Sequence, residues 1–258
     1  MSKEKNFKLL QGEISELQEE SFNGLTLKVI RDSSTQRYNE KLGALHRALS
    51  YVHHCLPDAF SDLRLPILTV VFGEKVPCQV CWDNTPHGKE VYLFLGDKMM
   101  FQYNKSLQDE LFSSGEKGPR GVCDQIYDDQ KRFIENRALW CCCYSPHEQD
   151  YQSPVSAKAT AIVVHELGHI LHENNDKESF WQNNKIASPK VISADLARQV
   201  GSYVIGNNPN EFVAEVFTGL VYGKRYSEGI IKEYEKEGGV LPVWDIRGII
   251  LNERGEKR

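Results

Sequence analysis

The run from Ser156 to Glu173, SAKATAIVVHELGHILHE, constrains this chain more than any other segment. It consists of strong helix formers, and Ile162, Val163, Leu167, Ile170 and Leu171 make it apolar around much of its circumference, so the helix has to be seated in a core. Ser156 is its expected N-cap. Within this apolar helix stand His165, Glu166 and His169. Ionisable groups are costly to bury unless they are paired or hold a metal. Residues four apart share a helical face with Cβ atoms about 5–6 Å apart, so His165 and His169 can each present a ring nitrogen to one ion at about 2.0–2.1 Å. Glu166 is turned by roughly 100° from His165, which sets its carboxylate beside the ion, where it can take a proton from water. The spacing points to Zn2+ and to hydrolysis by an activated water.

A catalytic zinc site needs a third protein ligand and one open position. His172 continues the same helical face, but rings at 165, 169 and 172 would approach an ion from one line, which suits a tetrahedral site poorly. The segment NPNEFVAEVFTGLVYG is the better source. Asn208 can cap it, Pro209 suits the first helical position and Gly223 the position after its end. Phe212, Val213, Val216, Phe217, Leu220 and Val221 form its apolar face, while Glu211 and Glu215 lie four apart on another. Glu211 is therefore the expected third ligand, and Glu215 is placed to accept the second ring N–H of a ligating histidine.

Elsewhere the pattern is mixed. Residues 1–35 read as a poorly anchored lead, with acidic residues from Glu13 to Glu20, turn chemistry at Asn23-Gly24 and a short strand at Leu25 to Ile30. Residues 36–258 read as one metal-binding domain. Leu42, Leu45, Leu49, Val52 and Leu56 recur at helical steps and predict a helix that stops before Pro57. His46, His53 and His54 lie on or beside it without an acidic partner at fixed spacing. Ile67 to Phe72 and Val91 to Leu95 read as strands separated by a loop, with Val91 to Leu95 as the sheet edge. Leu107 to Phe112 reads as a brief helix, Ser113 to Gly121 as a loop, and Gln125 to Trp140 as a helix. The order of elements predicts an α+β domain with a small sheet packed on the metal helix.

Composition excludes several classes. A net charge of −5 gives no reason to expect a nucleic-acid partner, since neutralising phosphates needs clustered Lys and Arg. No segment approaches about 18 consecutive apolar residues, and MSKEKNFKLL runs into polar sequence, so neither a membrane span nor a Sec-type signal is expected. Seven cysteines, three of them adjacent at Cys141 to Cys143, form no regular disulfide framework and suit a reducing cytoplasm. Cys78 and Cys81 form a C-x-x-C pair without a second such pair to complete a four-ligand site.

HELGH followed by N-E-x-x-A-E on a later helix resembles the gluzincin pattern. Ser202-Tyr203 followed by Glu211-Phe212-Val213-Ala214-Glu215-Val216-Phe217 is similar to the lethal-factor type of toxin metallopeptidases. The resemblance covers roughly residues 160 to 220. It implies a zincin-like fold, a peptide substrate, Glu211 as ligand and Tyr203 as donor to the oxyanion, in a protein acting in the cytoplasm or delivered as an effector into a target cell without a Sec signal. A second resemblance, through HELGH and a downstream acidic helix, is to the ImmA-like regulatory peptidases. A non-catalytic zinc-containing binding module is the alternative from another class. Glu166 speaks against it, because a purely structural zinc site needs no base.

Overall fold

The computed structural model describes residues 3–10, 12–59, 67–86, 88–101, 121–136, 153–184, 191–206 and 208–245. The chain is α+β: a five-stranded mixed sheet packed against helices. In chain order the elements are α1 (Lys3–Phe7), β1 (Ile14–Phe22), β2 (Leu25–Asp32), α2 (Tyr38–Cys55), β3 (Ile67–Gly73), β4 (Gln79–Thr85), β5 (Gly88–Gly96), α3 (Asp97–Phe101) and α4 (Val122–Asn136). There follow α5 (Pro154–Asn175), α6 (Lys177–Asn183), α7 (Ala194–Val200), a 3-10 turn (Ser202–Val204), α8 (Pro209–Val221) and α9 (Glu228–Lys236). The strand order is β1-β2-β3-β5-β4. β2, β3 and β5 run parallel, and β1 and β4 close the two sides antiparallel. No helix of the described residues is long and apolar enough to cross a membrane.

Side-chain alternation builds the core. Leu25, Leu27 and Val29 of β2, Leu68, Val70 and Phe72 of β3, and Val91, Leu93 and Leu95 of β5 point to one face and share one core with the buried residues of α2, α5 and α8. The opposite face holds a smaller cluster of Val71, Val76, Cys81 and Phe94, against which Phe7, Leu9 and Leu10 pack. On α2 the stripe of Leu45, Leu49 and Val52 is fully buried, and the helix ends at Cys55, before Pro57 as its sequence predicts. Lys41 of α2 is buried as well: its ammonium donates to the carbonyls of Gly73 and Leu95, both at 3.0 Å, and pairs with Asp97. Those carbonyls lie at the ends of β3 and β5, so one cation ties the helix to both strands. Burial pushes the pKa of Lys41 down, and the hydrogen-bonded Asp97 carboxylate opposes that shift.

Four expectations fail. The lead is anchored: its expected strand at Leu25 to Ile30 is β2, and it pairs with β1, which the sequence does not predict, across the expected turn, where Asn23 and Gly24 both take positive φ (46° and 87°), the geometry a tight hairpin asks of an Asn-Gly pair. The loop expected between the strands contains β4, whose Pro and Asp/Asn neighbours read as breakers, while its pairing with β5 overrides them. Val91 to Leu95 is therefore interior, between β3 and β4, and β4 is the edge. Finally, α5 starts nearly one turn earlier than its sequence predicts. Ser153 is the cap, accepting from the Ser156 N–H at 3.1 Å, and Pro154 occupies the first turn, so Ser156 lies inside the helix. The expectations for Leu107 to Phe112, most of Ser113 to Gly121, residues 137–140 and Cys141 to Cys143 lie outside the described residues.

Candidate metal centre

α5 is the central helix, touching α2, α4 and α8, and nearly all of its residues from Ala157 to Glu173 are buried. Its close partner is α8. A Cβ on Gly168 would meet Phe217 Cδ1 at 3.0 Å and Ala214 Cα at 3.4 Å, so the glycine of HELGH is what lets the two helices cross this closely. The ends of α8 follow the sequence signals: Asn208 caps the N–H groups of Asn210 and Glu211, Pro209 opens the helix, and Gly223 follows it with φ +74°. This capped first turn carries Glu211 to the face of α5 that bears the histidines.

Three side chains converge there. One ligand atom from each of His165, His169 and Glu211 lies within 4.8 Å of the others. Nε2 of His165 is 3.3 Å from Oε2 of Glu211, and Nε2 of His169 is 3.6 Å from Oε1. Glu211 Oε2 is nevertheless a buried atom without an aligned hydrogen bond, and so is Nδ1 of His169 on the far side of its ring. A buried polar atom left unsatisfied costs about 1–3 kcal/mol. Two imidazoles and a carboxylate converging at these separations, with one buried carboxylate oxygen left unsatisfied, are a donor set that fits a divalent zinc ion. Glu215 stands behind His165, with Oε1 3.1 Å from Nδ1, and its other oxygen accepts the Val122 N–H at the start of α4.

The electrostatics follow from this crowding. Burial favours the neutral His165 ring, but Glu211 and Glu215 outweigh it and raise its pKa well above the usual histidine range. Burial likewise works to raise Glu211, yet His169 and His165 hold its carboxyl well below the ordinary value. Glu166 is raised, chiefly because it is buried, against the pull of the two histidines. Its carboxylate accepts a backbone hydrogen bond from Val80 of β4, which ties the glutamate to the sheet edge.

Tyr203 of the 3-10 turn lies at the mouth of the site, 48% exposed, its ring centroid 6.3 Å from that of His165 and its hydroxyl reaching Glu211. Burial of the hydroxyl and the surrounding carboxylates push its pKa up, so the phenol stays a proton donor. His172 is not among the converging groups. It is buried against Phe180 and Gly238, and its pKa is pushed down to about 4, first by burial and then by His169. Cys78 and Cys81 do not converge either: Cys78 points into the main core and Cys81 to the opposite face of the sheet. His46, which has no acidic partner at fixed spacing in the sequence, meets Glu20 of β1 at 2.9 Å.

The site opens into a cleft of about 1220 Å³ bounded by β4, α4, α6 and α8. Sequence reasoning misses five residues that line it. Val80 and Trp82 of β4 are concealed by the loop assignment, although the β-favouring run Val80-Cys81-Trp82 is a strand signal. Cys123 of α4 offers its sulfur within 4.8 Å of ligand atoms of His165 and Glu215, and a lone cysteine so far from the motif carries no spacing signal. Phe180 and Trp181 reach the cleft only through the fold.

No protein-family profile and no curated protein matches the chain. Among solved structures, it is similar to a candidate zinc-binding metallo-peptidase from Bacteroides caccae, at 15% identity and a TM-score of 0.23, over 77% of this chain and 62% of that one.

Proposed function

We propose that this protein is a zinc-dependent endopeptidase that hydrolyses peptide bonds of an extended substrate held along β4. The observation that carries the reading is the convergence of His165, His169 and Glu211 in one cleft with Glu166, beside the strand that edges the sheet among the described residues. A Zn2+ held by those three side chains would supply Lewis acidity to a carbonyl and lower the pKa of a water. Every other step belongs to the chain. Glu166 takes the proton of the attacking water and delivers it to the leaving amine, a role suited to a carboxylate whose pKa burial raises above the ordinary value. Glu215, 3.1 Å from Nδ1 of His165, fixes the tautomer and orientation of that ring. Tyr203 donates its hydroxyl to the oxyanion as charge develops, the role that the lethal-factor-type pattern implies for it. As edge strand, β4 offers main-chain groups on its open side, and an extended peptide adds to such an edge by backbone pairing.

The test is cleavage-site profiling on a proteome-derived peptide library. New termini should appear with the zinc-loaded protein, disappear with a chelator and return with added Zn2+. Absence of any cleavage by zinc-loaded protein would favour the non-catalytic binding module.

A further inference from the structure

Next to His169 the cleft ends in an aromatic corner that hydrolysis itself does not require. Trp82 of β4 meets Phe180 at 4.9 Å and Trp181 at 5.6 Å between ring centroids, Phe180 and Trp181 are 5.5 Å apart, and all three pairs are edge to face. Phe180 lies 6.4 Å from the His169 ring, and all three aromatic residues line the cleft. Core packing accounts for Phe180, which is buried. It does not account for Trp181, which is 38% exposed and still held in one orientation by a buried acid. The Glu173 carboxylate accepts the indole N–H of Trp181 at 3.0 Å and pairs with Lys89 of β5 through its other oxygen. Asn210 donates to the Phe180 carbonyl at 3.0 Å, fixing the second wall. A rigid, partly solvated set of ring faces and edges is preorganised to take another ring, because its ordering is complete before anything binds.

Position along β4 gives the corner a register. Val80 donates its backbone N–H to Glu166, so the proposed reacting group lies beside Val80. Trp82 is two residues further along the strand, on the same side and about 6.6–6.8 Å away. We infer that the Trp82–Phe180–Trp181 corner selects an aromatic side chain of the bound peptide, two positions from the residue that lies beside Val80. This rests on the peptidase reading for its placement, and the experiment separates the two.

Acetylated and amidated alanine-serine peptides, with a single Phe scanned through every position, are titrated into zinc-loaded Glu166→Gln protein by calorimetry. The same peptides are given to the wild type and the cleavage sites are mapped. One Phe position should bind about ten-fold or more tightly than the all-alanine-serine peptide, and it should fall two residues from the residue beside Val80. Trp181→Ala should remove that preference, and Trp181→Phe, which keeps an aromatic wall and serves as the folding control, should restore most of it. Binding that is insensitive to Phe position, or a preference that survives Trp181→Ala, overturns the corner; cleavage that persists under those outcomes leaves the peptidase reading standing. Position-specific, Trp181-dependent binding without cleavage by the wild type would support the corner and overturn the peptidase reading.

Discussion

Replacing Glu166 by Gln is expected to leave zinc bound and to lower kcat/KM by at least about 100-fold on any substrate found by profiling. Positioned acid–base groups contribute about 10²–10⁴-fold to such reactions, and an amide of the same size cannot take the water's proton. The substitution is nearly isosteric at a position 6% exposed, so its effect should fall on turnover and not on folding. Zinc content measured on the same preparation separates the two. A Glu166→Gln protein that cleaves as fast as the wild type would remove the catalytic role of this residue.

The second large effect is expected on α8. Glu211→Ala should lose zinc while His172→Ala largely keeps it. A zinc site in a small peptide binds with about 10–16 kcal/mol spread over four ligands, so one ligand is worth roughly 3 kcal/mol, or two orders of magnitude in affinity. His172 faces Phe180 and Gly238 and not the converging groups, so its loss should change metal affinity by less than about ten-fold. Its replacement removes a buried ring and should instead lower the melting temperature. The check is a competition titration of zinc with a chromophoric chelator for both variants. The reverse pattern would move the ligand role from α8 to the last turn of α5.

Those parts of the fold written in local periodicity are legible in the sequence. α2 follows from the leucine stripe, and α8 from Asn208, Pro209 and Gly223 at its ends, because capping and helical spacing are local physics. The strands β2, β3 and β5 are apolar enough to read without context. β1 and β4 are different: both lie at the sides of the sheet, carry polar residues, and become strands because a partner pairs with them. That is why Leu25 to Ile30 is visible in the sequence and Ile14 to Phe22 is not. It is also why the sequence places the edge at the interior strand β5. For the site, HELGH and the Glu211–Glu215 spacing name side chains that the fold brings to one cleft. Tyr203 comes from a resemblance and not from its spacing, and its place beside His165 depends on the 3-10 turn. Trp82 and Trp181 are far apart in the chain, so no local pattern could join them.

The central claim is that His165, His169 and Glu211 hold one zinc ion beside Glu166. It is tested most directly by elemental analysis of the purified wild-type chain, saturated with Zn2+ and dialysed against metal-free buffer, beside His165→Ala and His169→Ala treated identically. The account predicts about one zinc per wild-type chain and far less than one in each variant. Wild-type protein without stoichiometric zinc, or either histidine variant retaining it in full, would contradict the account.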